Sequence, residues 1–163
     1  MTEFKSISPE SIPHALEKVE RYRLLNEPAE AESICRDVLR VEPENQRALI
    51  GLLLTLTDQF AERPAINDAR EILARLEGEY ERAYYEGIIL ERQGKALLRT
   101  GPGGTANLAT GWLQEAMRAY GRAEALRPAG NDDPILRWNA CARILRDHHL
   151  GPRPEDDIEP LLE

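Results

Sequence analysis

EAMRAYGRAEALRP (residues 115–128) sets small residues, one aromatic and a closing proline at helical intervals: Ala116, Tyr120, Ala123, Leu126 and Pro128. AESICRDVLRVEP (residues 31–43) repeats part of the pattern at Ala31, Cys35, Val38, Val41 and Pro43, and both intervals from Ala to Pro are 12 residues. Two antiparallel helices approach closely only where side chains are small, so Ala31 and Ala116 are expected at helix crossings. Tyr120 or Cys35 then fills the space beside the crossing, Ala123 lets a further hairpin stack, and the proline turns the chain back.

Working outward, breakers divide the chain into about seven helices. These are expected at 12–25, 28–41, 46–59, 64–78, 79–98, 107–127 and 134–148. Ser11, Asn45 and Asp133 are the expected N-caps, and Gly78 the left-handed cap that closes the fourth helix. Val, Ile and Thr form no alternating runs, so the fold class is all-α. Three sets of positions recur at a spacing of 34 residues: Ala15, Leu49 and Ala83; Val19, Leu53 and Gly87; Tyr22, Leu56 and Leu90. Such a period is the mark of stacked helical hairpins, each covering the apolar face its neighbour leaves open.

With these residues in place the chain resembles the tetratricopeptide repeat (TPR) family. The second-helix motif is carried by Ala116, Tyr120, Ala123 and Pro128. The first-helix motif is carried by Leu49, Leu52, Leu53 and Leu56, and by Trp138, Cys141, Ala142 and Leu145. The resemblance covers residues 12 to 148 and implies a solenoid of about three hairpins plus a C-terminal helix. Lys18 and Glu86 depart from the family pattern, and the fourth helix fits best with Ala69 and Leu73 in the Ala and Phe places. The expected organisation is one TPR-like domain over residues 1–150, with a long insertion around 95–112, and an acidic, Pro-rich tail at 151–163. The insertion is expected to lengthen two helices around a Gly-rich tip and to carry Trp112.

Composition narrows the function. The chain has 163 residues, 42% of them hydrophobic, and a formal net charge of −8. A nucleic-acid binder draws most of its affinity from a basic surplus, so no nucleic-acid partner is expected. The longest apolar run, ALIGLLL (48–54), is too short to span a membrane. The N-terminal residues lack the apolar core of a signal peptide, and Cys35 and Cys141 read as buried thiols. A cytoplasmic location is expected, while oligomeric state is left open. No metal or other cofactor is expected.

Motifs for chemistry are weak. DHH (147–149) lacks the sheet and the separate Asp motifs of the phosphoesterases that share it. TGPGGT (100–105) lacks the Lys-Ser/Thr ending of a phosphate loop. The three His stand at 14, 148 and 149 and form no triad pattern with Ser or Cys. The glutamates along the helices read as solvated faces. The chain is therefore read as a non-enzyme.

The remaining candidate is the concave face that stacked first helices form. Helical spacing puts Leu16, Glu20 and Arg23 on it, then Arg47, Ile50 and Leu54, then Tyr84, Ile88 and Arg92, then Asn139, Arg143 and Arg146. This mixture of arginine and apolar side chains points to a scaffold or adaptor that binds an acidic protein segment with aliphatic anchors. The family's carboxylate clamp is not expected, since Leu16, Ile50 and Tyr84 stand at its Lys-type places. Two alternatives remain: a small secretion-type chaperone for an exported client and, remotely, a metal-dependent hydrolase using His148 and His149. The tail sequence PEDDIEPLLE (154–163) shares the acidic and aliphatic character expected of the partner.

Overall fold

The structure, a computed structural model, describes residues 1–148. His149 and the whole of 151–163, including the short turn expected at 158–162, lie outside the described residues. Within them the chain forms a 3-10 turn, Pro9–Ser11, and seven α-helices with no strand. The helices are α1 (Ile12–Leu24), α2 (Pro28–Val41), α3 (Gln46–Asp58), α4 (Ile66–Leu73), α5 (Glu79–Thr100), α6 (Ala106–Leu126) and α7 (Asp133–Asp147). Successive helices pack as hairpins. In addition α3 contacts both α1 and α5, so the first helices of adjacent hairpins stand side by side.

Local chemistry accounts for most boundaries. Asn45 caps α3, its side-chain oxygen accepting from the Ala48 N–H at 2.9 Å. Asn26 turns the chain from α1 into α2 in the left-handed region at φ 57°. Ser11 does not cap α1; its hydroxyl donates instead to the Ser8 carbonyl at 2.8 Å and closes the 3-10 turn. The residue at the cap position of α7 is Asp132 rather than Asp133.

The largest departure from expectation is α4. It starts two residues later, after hydrogen-bonded turns at residues 59–63, and ends five residues earlier, at Leu73, where the chain passes into tighter turns to the Ile72 and Leu73 carbonyls. Gly78 is not its left-handed cap. It is extended at φ −82° and leads into α5. Arg82 holds the connector, donating to the Leu76 and Glu77 carbonyls, both at 2.8 Å.

One core lies around α3, where Leu49, Leu52, Leu53 and Leu56 meet Ala31 and Cys35 of α2 and Ala69 of α4. Ala31, Cys35 and Ala69 are wholly buried, as the crossing argument requires. A second core lies between α5, α6 and α7, with Ala116 and Tyr120 wholly buried. Helices α5 and α6 are long, 22 and 21 residues, and are joined through residues 101–105. They pack closely because two glycines on α5 leave room. A Cβ on Gly87 would lie 2.4 Å from the Tyr120 ring, and one on Gly94 would lie 3.0 Å from Leu113.

Candidate functional site

Asp58, the last residue of α3, gathers the side-by-side helices. A carboxylate at a helix C-terminus meets the negative end of the helix dipole and needs cations. Arg23 of α1 supplies a fork, Nε at 2.7 Å and a terminal nitrogen at 3.2 Å from the two Asp58 oxygens. Arg92 of α5 donates to the same carboxylate at 3.1 Å. Beside this cluster Arg47 pairs with Glu20 at 3.1 Å, both largely exposed. Four of the expected face residues are thus brought into one polar band across α1, α3 and α5.

The band borders a cavity of about 530 Å³ whose lining includes Glu20, Arg23, Leu24, Asp58, Arg92 and Arg99. Three guanidinium groups therefore face two carboxylates. The Arg92 Nε is buried without a hydrogen-bond partner. Arg99 makes no ion pair among the described residues. It stands near the end of α5, two turns beyond Arg92.

The other expected residues are distributed differently. Leu16 and Ile88 are 5% and 6% exposed and belong to the cores, so they do not line a surface. Both sit where neighbouring helices converge, which helical spacing alone does not register. Ile50 and Leu54 are half-buried against the first and second cores respectively. Tyr84 stacks on Tyr80 at 5.8 Å and meets Tyr85 edge-on at 5.1 Å. Burial pushes its phenol up to about 12. Asn139, Arg143 and Arg146 lie on α7. Among the described residues no hydrogen bond joins them to the Asp58 cluster, and Arg146 pairs with its neighbour Asp147 at 2.9 Å.

Sequence reasoning missed a second polar group. Glu91 of α5 is not on a solvated face but wholly buried. Arg137 of α7 donates to both its oxygens at 2.5 Å, and Lys95 lies 3.7 Å away. The Tyr120 hydroxyl and the Cys141 thiol each lie 3.4 Å from it. Burial would lower the Arg137 pKa, but the hydrogen bond and charge of Glu91 outweigh it and raise it. Burial pulls the Lys95 ammonium below its usual range against the opposing effect of Glu91. Burial, with Glu91 adding to it, pushes the Cys141 thiol up to about 12, so this cysteine is no nucleophile. The signal was present in the sequence: Glu91 shares one helical stripe with Gly87 and Gly94, both closely packed.

Two further surfaces frame the choice of site. A cavity of about 500 Å³ involving α2 and α4 is floored by Leu39, Leu52 and Ile72. Phe4 borders it, with the Arg40 guanidinium 5.4 Å from the Phe4 ring. On the long α6, Trp112 is half-buried, 5.7 Å from the Arg70 guanidinium of α4, while Leu108 is exposed. Among the described residues no cluster of three His, Cys, Asp or Glu side chains has metal-binding geometry, and no helix is long and apolar enough to cross a membrane. No protein-family model matches the chain, and neither a curated protein nor a solved structure matches it.

Proposed function

We propose that this chain is a non-enzymatic scaffold or adaptor of the TPR type, binding an acidic protein segment across α1, α3 and α5. The observation that carries the reading is the Arg23–Asp58–Arg92 cluster. Asp58 shows what a carboxylate finds on this face: a planar fork from one side and a second guanidinium from the other. Arg99 extends the same chemistry into the adjoining cavity. Exposed Leu24, at its rim, offers apolar area to an aliphatic anchor.

Retention of host proteins by three forms of the full chain, at one fixed ionic strength, tests the reading. The unsubstituted chain and Trp112→Ala are expected to retain the same partner, while Arg92→Glu with Arg99→Glu loses it. Fixed salt matters because exposed charge attraction is screened. Retention that survives the double reversal and disappears with Trp112→Ala moves the binding site to the insertion and ends the proposal.

A further inference from the structure

Residues 154–163, PEDDIEPLLE, match the cavity beside Asp58 in chemistry and in reach. The segment carries five acidic residues, Glu155, Asp156, Asp157, Glu159 and Glu163, with Ile158, Leu161 and Leu162 among them. The cavity offers Arg23, Arg92 and Arg99 against two carboxylates, Asp58 paired with Arg23 and Arg92, and Glu20 paired with Arg47 outside the cavity, with exposed Leu24 at its edge.

The path of α7 sets the reach. It runs beside α5 in the same direction: Asn131, just before it, meets the Tyr80 hydroxyl at 3.0 Å, and Arg137 and Cys141 meet Glu91. Two further turns bring α7 to its end at Asp147 and α5 to Arg99. Helix α7 packs on α6, and its side chains reach those of α5. Residues 148–153 span up to roughly 20 Å when extended, enough to cross α5 to its arginine side.

We infer that residues 154–163 of this chain occupy the Arg23–Arg92–Arg99 cavity, so that the protein is its own competitor for the face. This rests on the reading of that face as a site for acidic segments. The exchange is one of ion pairs and apolar contacts, with no covalent step.

Spin labels on the full-length chain at Lys18→Cys and Pro160→Cys test it by the distance between them. Cys35 and Cys141 are buried, with thiols pushed up to about 12, and are spared by thiol-directed labels. The expected result is a narrow distance component that is lost at 1 M salt, where the Debye length falls to about 3 Å. It is also lost in Arg99→Glu, and returns when Asp156→Arg and Asp157→Arg are added to that variant. Arg99 is exposed and unpaired among the described residues, so its reversal leaves the fold intact, which the helical circular dichroism checks. A broad distance in the unsubstituted chain overturns the inference, as does a narrow one that Arg99→Glu leaves in place. A narrow component found only when two singly labelled chains are mixed assigns the cavity to a second copy and also overturns it. If partner retention depends on Arg92 and Arg99 while the distance is broad, the face stands and only its occupant is wrong.

Discussion

Around α3 the interior is leucine packed on alanine and cysteine; around α5 it holds a carboxylate, a guanidinium, a phenol and a thiol. The hairpins have the same arrangement in both regions. Apolar packing is tolerant, because side chains of similar volume exchange at modest cost. A buried ion pair is intolerant, since its charges are compensated only when every partner arrives in one geometry. The α3 region is thus specified by pattern, and the α5 region by particular atoms. The difference follows the helix that closes each region: α4 docks through Ala69 and Ile72, whereas α7 docks through Arg137 and Cys141.

The sharpest way to break this contrast is to remove one ion. Arg137→Met leaves Glu91 buried with Lys95, 3.7 Å away, as its one cation among the described residues. The expected cost is about 3 kcal/mol, the low end for an orphaned buried charge. Adding Glu91→Leu is expected to restore most of the urea midpoint, because the region then resembles that around α3. Equal loss in the single and double variants would show that the ion pair is not what distinguishes the two regions.

A smaller effect compares two glycines. Gly87→Ala drives a methyl group to within 2.4 Å of the Tyr120 ring, whereas Gly51→Ala on α3 meets Cys35 and Val19 at 3.3 Å. The first is expected to destabilise by roughly 1–3 kcal/mol. The second is expected to be nearly neutral, since alanine's better helix propensity, worth about 1 kcal/mol, offsets the tight fit. Thermal unfolding of the two variants side by side decides the matter, and equal shifts would mean that the α5 interior yields as easily as the other.

The smallest effect sharpens the contrast between buried and rim charges. Glu32 of α2 accepts from Arg36 at 2.7 Å, Arg63 at 2.8 Å and Gln59 at 2.9 Å. Burial alone would raise its carboxyl, but the Gln59 and Arg36 hydrogen bonds and the Arg63 and Arg36 charges hold it below the usual glutamate range. A folded-state pKa below the unfolded one gives stability above the unfolded value that is lost as pH falls through the folded value. Glu32→Gln is expected to cost about 0.2–1 kcal/mol at pH 7. It should cost nothing once the pH lies below the folded carboxyl's titration. A cost that stays constant with pH would show that Glu32 acts through packing rather than charge.

Much of this architecture was legible because it rests on local spacing. Ala31, Cys35, Ala116, Tyr120 and Ala123 repeat on the scale of a helix turn, and all five are wholly buried. The sites were less legible because their partners are distant in sequence. Arg23 meets Asp58 across 35 positions and Arg137 meets Glu91 across 46. Helical spacing places a residue on a face but does not say whether another helix covers that face, which is why Leu16 and Ile88 were expected at a surface. Two signals were available all the same. Asp58 sits at the electrostatically wrong end of a helix, and Glu91 lies in a stripe of glycines.

The Glu91 arrangement also bears on the order in which the molecule takes shape during synthesis. The core around α3 draws on the first four helices, on Leu76 and on Ile89 of α5, so it is complete once the first half of α5 has emerged. The hairpin of α5 and α6 has no such independence: its central carboxylate keeps water until Arg137 is made, 46 positions after Glu91. The growing chain therefore carries a finished N-terminal core and a waiting hairpin at the same time, and α7, translated after both, is the helix that seals it.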